Sequence, residues 1–322
     1  MSFWVRNRLI LLAYLAMIVL LFATSLFSPG FLSESNLRST VVLAAFVGIV
    51  ALGQTFVIIG GGIDLSLPWV LNCAAILMTL LANGQDMPLV WIVPLMLLGG
   101  AAIGLINGVG VALFGVPPII MTLASNVILQ GLILVYTGGS PTPSAPPLIQ
   151  YLAVGRIGAF PVIAVIWGVL AVIAWVLLSR AAFGRYLYAL GTSRNVAEYS
   201  GVPTLRTAIL TYVISGMTAA LGGMLLTGYS GQAYLGMGDP YLFTSIAAVA
   251  IGGASILGGS GHYIGTIAGA LVLTILGGLL PALNLSSGAL LIVYGAVILL
   301  TVSVGSETLA DIADLIFRRR KN

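Results

Sequence analysis

Residues 41–81 read "VVLAAFVGIVALGQTFVIIGGGIDLSLPWVLNCAAILMTLL". An apolar run over 41–59, broken mainly by Gly53, Gln54 and Thr55, meets three glycines and an aspartate, then turns apolar again. A helix needs roughly 20 residues to cross a bilayer core, so the stretch reads as two membrane helices with a glycine-rich break between them. Gly60, Gly61 and Gly62 let the backbone turn. Asp64 is the acidic residue to explain, and Ser66 opens the second helix. Two roles are open to Asp64. It is either an N-cap for the free N–H groups near Leu67 or an ionisable site for a coupling ion or proton.

Working outward, only 6% of residues are charged and 60% are hydrophobic, with a mean hydropathy of +1.15. An ordinary soluble domain carries about 25% charged residues. Lipid must solvate much of this surface, and the alternating pattern of a membrane β-barrel is absent. The expectation is an all-α polytopic membrane protein with spans near 9–27, 39–60, 65–83, 89–113, 118–137, 161–179, 207–227, 242–258, 263–281 and 287–304. The first run is long for a cleaved signal and lacks a small-x-small site, so it is read as a retained span.

The termini, "WVRNR" and "FRRRKN", are basic, and the one long charged loop, 180–206, holds Arg180, Arg185, Arg194 and Arg206. With both termini and that loop cytoplasmic, six spans precede the loop and four follow. Ten of the twelve basic residues then lie inside, leaving Arg38 and Arg156 outside. These clusters are short and juxtamembrane, which argues against nucleic acid as a partner. The whole chain, 1–322, reads as one permease domain with the 180–206 loop and a cytoplasmic tail, 305–322, as its attachments. The proline-rich external stretch 138–160 is either a docking surface or plug, or a solvated loop.

Absences narrow the chemistry. Lys321 is the sole lysine, so no GxxxxGK[ST] phosphate loop exists. His262 is the sole histidine and Cys73 the sole cysteine, so no metal cluster or disulfide is expected, and His262 reads as a buried or loop-capping residue rather than a catalytic one. Gln54, Asn72, Asn107 and Asn126 are candidates for lining a wet path, the alternative being interhelical hydrogen bonds. Gly100, Gly104 and Gly108, and Gly261, Gly265, Gly269 and Gly277, form small-residue stripes that suit close packing within the subunit or a dimer seam. "GGGIDLS" and "GGASILGGSG" occupy similar places in the two halves, as paired helix interruptions beside a transport path do.

In the charged loop, "TSRNVAEYSG" has helix-start chemistry at Thr192 or Ser193 and a stop at Gly201. Val196, Ala197 and Tyr199 would form its apolar side, facing either another protein's groove or lipid headgroups.

Four ordered stretches carry a family resemblance: "GQTFVIIGGGIDLS", "GLINGVGVALFGVPPIIMTLASN", "YALGTSRNVAEYSGVPTLR" and "AAVAIGGASILGGSGHYIGTIAGAL". Together, over about 40–300, they resemble the permease subunits of ribose-type, carbohydrate-uptake ABC importers of bacteria. Leu67 and Pro68 depart from the family's usual Val-Gly after "GGIDLS", and Glu198 replaces an alanine. The resemblance implies a multi-pass protein of the bacterial inner membrane that is itself not an enzyme and binds no cofactor. A separate ATPase subunit would bind ATP, a periplasmic binding protein would deliver a small polar solute such as a sugar, and a second permease subunit, identical or paralogous, would complete the pathway. It also implies an ATPase-coupling surface at Arg194, Asn195, Ala197, Glu198, Ser200 and Gly201, and a gate at Gly60, Gly61, Gly62, Asp64 and Ser66. The competing reading is an ion-coupled carrier that uses Asp64.

Overall fold

A computed structural model of the chain describes residues 3–28, 30–139, 144–282, 288–289, 291–296 and 299. The tenth expected span, 287–304, lies largely outside the described residues and the tail, 305–322, wholly so. The helices are α1 (Phe3–Phe27), α2 (Glu34–Ile59), α3 (Leu67–Ala82), α4 (Leu89–Ala112), α5 (Pro118–Thr137), α6 (Pro147–Val154), α7 (Val162–Ser179), α8 (Ala182–Thr192), α9 (Arg194–Tyr199), α10 (Thr204–Ser230), α11 (Tyr241–Ile251) and α12 (Tyr263–Ala282). A two-residue hairpin, β1 (Arg156–Ile157) and β2 (Phe160–Pro161), follows α6.

Among the described residues, six helices are long and apolar enough to cross a membrane, and α3, α11 and α12 are shorter apolar helices. The chain is therefore a polytopic helical membrane protein. α2 is its axis: every residue from Ala44 to Ile59 is buried. α10 packs against α2, α3 and α4. Lipid tails are as apolar as the side chains, so helix association here rests on close van der Waals packing rather than on excluding water. The glycine stripe on α4 supplies it. A Cβ on Gly100 would sit 2.3 Å from the Gly216 carbonyl oxygen, and one on Gly104 2.2 Å from that of Tyr212. The α12 stripe works alike, Gly265 meeting Gly252 and Gly269 meeting Ala248, whereas Gly277 faces open space. Both stripes thus pack within the subunit. A buried polar clamp holds α2 to α7 and α12: Trp167 Nε1 donates to Tyr263 Oη, which donates to the Gly48 carbonyl.

Two helices fall short of the membrane. α3, with 16 residues, is ~24 Å long and α11, with 11, is ~16 Å long, against a ~30 Å core. The expected span 242–258 is corrected accordingly: helix stops at Ile251, because "GGASILGGSG" takes left-handed backbone at Gly253, Gly258 and Gly259. Such irregular backbone survives at membrane depth only when buried in protein or lining a cavity. The 231–240 segment after α10 reaches down to the first turn of α3, where a Cβ on Gly238 would lie 2.3 Å from the Pro68 carbonyl.

The proline-rich stretch 138–160 is neither a plain solvated loop nor a free plug in its described part. α6 packs along α10, with Gly228 against the Ile149 carbonyl. Leu148 N donates to Asp86 and Ala145 N to the Gly231 carbonyl.

Candidate functional site at the paired helix breaks

Asp64 is 2% exposed and satisfied entirely by neutral donors. Its Oδ1 accepts Ser66 N at 2.9 Å and Ser66 Oγ at 2.6 Å, and its Oδ2 accepts Ser215 Oγ of α10 at 2.6 Å. Asn107 Nδ2 of α4 donates to Ser66 Oγ at 2.8 Å, and Ser125 Oγ of α5 to Asn107 Oδ1 at 2.5 Å. Thr122 Oγ1 of α5 accepts Leu65 N at 3.0 Å. The break is thereby tied to three helices at once. Among the described residues no basic side chain pairs with Asp64.

This corrects the capping expectation. The N-cap of α3 is Ser66, which makes no side-chain cap bond to the helix. Asp64 instead closes a turn onto Ser66, the residue two positions on, as aspartates do in Asx-turns, and extends it to α10. Pro68, in the first turn of α3, lacks an N–H that would need a partner.

The two breaks touch. Gly259 N donates to the Ile59 carbonyl at 2.9 Å, and a Cβ on Gly258 would lie 2.8 Å from Gly61 Cα. Gly191, near the end of α8, is wedged between them. Its Cβ would sit 1.9 Å from the Ile59 carbonyl oxygen and 2.5 Å from Gly259 N. Tyr188, one turn earlier in α8, donates to the Gly261 carbonyl at 2.7 Å. Sequence reading did not single out Gly191, although it stands in the quoted "YALG". What makes it matter is a backbone more than a hundred residues away in sequence on one side and tens of residues away on the other.

His262 caps α12. Its Nδ1 accepts Ile264 N at 3.2 Å, so Nε2 carries the proton and meets Ser179 Oγ of α7 at 2.9 Å. Burial pushes the imidazole pKa below its ordinary value, favouring this neutral form.

In the charged loop, Ser193 Oγ accepts Val196 N to start α9, and Gly201, at φ +77°, follows its end. Residue orientations differ from expectation. Arg194 reaches inward to the Ala112 carbonyl at the end of α4, at 2.7 Å, and Ala197 is buried. Both therefore anchor the loop, Ala197 by burial and Arg194 through that bond while its side chain stays exposed. Val196 and Tyr199 do not join Ala197 on one face; they are exposed, Tyr199 by 92%, alongside Asn195, Glu198, Ser200 and Gly201.

A cavity of about 410 Å³ lies against this junction. Gly60, Gly61, Pro117, Thr192 and Arg194 line it, with Tyr212, whose buried hydroxyl has no protein partner. The four polar candidates for a wet path sit apart, on α2, α3, α4 and α5. Asn107 belongs to the Asp64 network. Gln54 is fully buried with neither amide atom bonded. Asn72 Nδ2 donates to the Pro68 carbonyl but its Oδ1 is unpaired, as is that of Asn126. No group of three or more potential metal ligands occurs among the described residues.

Residues 36–302 match the family of the branched-chain amino acid transport system permease component. The chain is 36% identical to the ribose import permease of Bacillus subtilis, over 90% of each chain. It is 32% identical to that of Haemophilus influenzae, over 90% of this chain and 91% of the relative. It is 30% identical to the galactose/methyl galactoside import permease of the same organism, over 91% and 93%. No solved structure matches the chain. The chain thus belongs to this family of transport-system permease components, within the ribose-type import permeases that its four motifs resemble.

Proposed function

We propose that this protein is the membrane pathway of an ABC importer that passes a sugar from a periplasmic binding protein to the cytoplasm. Its placement would be the bacterial inner membrane, with ten spans, both termini inside, and a second permease subunit beside it. ATP binds and is hydrolysed on a separate ATPase subunit. The relatives import ribose and galactosides, which favours a monosaccharide over the amino acids in the family's description.

One observation carries the mechanism: α8 is wedged by Gly191 against both breaks while the adjoining α9 exposes Val196 and Tyr199. When the ATPase closes on ATP, it moves α9 and α8 together. Gly191 and Tyr188 pass that motion to Ile59–Gly61 and to Gly258–Gly261, and the cavity at Gly60 and Tyr212 changes access. Arg194 and Ala197 hold the loop to the body, while Asn195, Glu198, Ser200 and Gly201 join Val196 and Tyr199 as the docking face. Gly60, Gly61, Gly62, Asp64 and Ser66 form the gate, and Gln54, Asn72, Asn107 and Asn126 are polar steps beside the route. ATP can drive access only because it binds one arrangement better than the other. The ion-coupled reading is set aside: both oxygens of Asp64 are occupied by hydroxyl and amide donors, and the relatives are import permeases.

The test is uptake of labelled D-ribose and D-galactose into proteoliposomes holding the complete complex. Uptake that requires both internal ATP and the binding protein supports the proposal. Uptake driven by a proton or sodium gradient without ATP sinks it.

A further inference from the structure

A second and larger cavity, of about 680 Å³, lies at the opposite end of α2 and α10 from the breaks. Its size falls within the ~300–1,000 Å³ usual for small-molecule sites. Resting on the importer reading, we infer that it is a binding site for a neutral monosaccharide on its way through the subunit.

The lining decides the chemistry. Among its described residues none is charged, so the ammonium and carboxylate of an amino acid would lose hydration there without gaining a partner. A sugar hydroxyl needs donors and acceptors, and the walls offer both. Thr40, Thr244 and Thr274 each donate their proton back to a carbonyl of their own helix, at 2.7–2.8 Å; the oxygens of Thr40 and Thr274 are left as acceptors, while that of Thr244 meets the Tyr294 hydroxyl. Tyr229, Tyr234 and Tyr241 bring phenol O–H donors and flat apolar rings. Phe46 holds the Tyr229 ring edge-on, with centroids 5.4 Å apart.

The two cavities lie along one face of α2, with packed side chains between them. Asn36, Thr40, Leu43 and Val47 of α2 line this cavity, and Val57 and Gly61 line the one at the breaks. Steps of three and four residues keep positions on one helix face, and continuing the steps from 47 to 57 passes through Val50 and Gln54. Gln54, fully buried with an unbonded amide, is thus the polar residue on that face between the two cavities.

The experiment uses the complete importer in proteoliposomes, measuring uptake of labelled D-ribose, D-galactose and L-leucine together with ATP hydrolysis. Thr274→Trp fills the cavity, and Tyr241→Phe removes one donor with little change in shape. The expected result is at least a tenfold fall in sugar imported per ATP hydrolysed for Thr274→Trp, and a several-fold rise in KM for Tyr241→Phe. Should Thr274→Trp fail to reach the membrane, Tyr241→Phe and Thr244→Val decide the matter through KM alone. Normal sugar import by the assembled cavity variants would overturn the site while leaving the importer reading intact. So would uptake that falls only in step with ATP hydrolysis. A wild-type complex that imports leucine but neither sugar would overturn the substrate reading itself.

Discussion

Replacing Asp64 by alanine should be far more damaging than replacing it by asparagine. The alanine leaves Ser66 N, Ser66 Oγ and Ser215 Oγ without their acceptor, at positions no more than 1% exposed. A buried orphaned N–H costs about 1–3 kcal/mol, and each lost hydroxyl bond adds about 0.5–1.5 kcal/mol. The hydroxyls can turn to other oxygens, but Ser66 N cannot, so a loss of about 3 kcal/mol is expected. In Asp64→Asn, Oδ1 keeps both Ser66 bonds, and Nδ2 donates to Ser215 Oγ, whose proton turns to a carbonyl of α10. Only the charge assistance is lost, about 1 kcal/mol. Thermal unfolding of the complex in nanodiscs, read alongside ATP-driven sugar uptake, separates the cases. Asparagine should fold, assemble and transport at near wild-type rate, and alanine should melt markedly earlier. Refutation would come from an asparagine variant that melts and assembles normally yet transports nothing, since its charge rather than its bonding would then be the functional quantity.

Gly191→Ala forces a Cβ to within 1.9 Å of the Ile59 carbonyl oxygen. It should cost about 1–3 kcal/mol and lower sugar moved per ATP, as a transport-to-hydrolysis ratio in proteoliposomes would show. His262 has a folded pKa below its ordinary 6.5, so its contribution to stability is present above about pH 6.5 and is lost as pH falls through the folded value. Melting temperatures from pH 8 to pH 5 should therefore fall more steeply in the wild type than in His262→Asn, whose side chain can accept Ile264 N without titrating. Gln54→Leu removes two unpaired buried polar atoms. It should raise thermal stability by roughly 1–3 kcal/mol while slowing uptake several-fold, and unchanged uptake would take Gln54 off the route.

The membrane fold was readable in the sequence because lipid solvation is written locally, as uncharged runs of spanning length, and most span limits fall within a few residues of the helices. α11 was overestimated for the opposite reason: residues 252–258 are apolar enough to span, yet their glycines leave the helix to meet Gly61 and Gly191. The helix start at Ser193 was legible from local capping chemistry, while the inward turn of Arg194 depends on where α4 ends. Asp64 stood out by its charge, but Ser215, its third donor, lies 151 residues away, and its place in the apolar run of α10 does not mark it as a partner. Tertiary partners of this kind leave no mark on the residues around them.

The central claim is that α8 and α9 join an external ATPase to both breaks. It is tested most directly by extracting the tagged protein gently from native membranes and identifying what copurifies. The expected result is an ATP-hydrolysing subunit in equal amount with the permease, lost in Tyr199→Asp and Val196→Asp while the permease itself remains folded in the membrane. A wild-type chain that comes out with no ATPase, or one whose ATPase stays bound when both exposed side chains are changed, would contradict it.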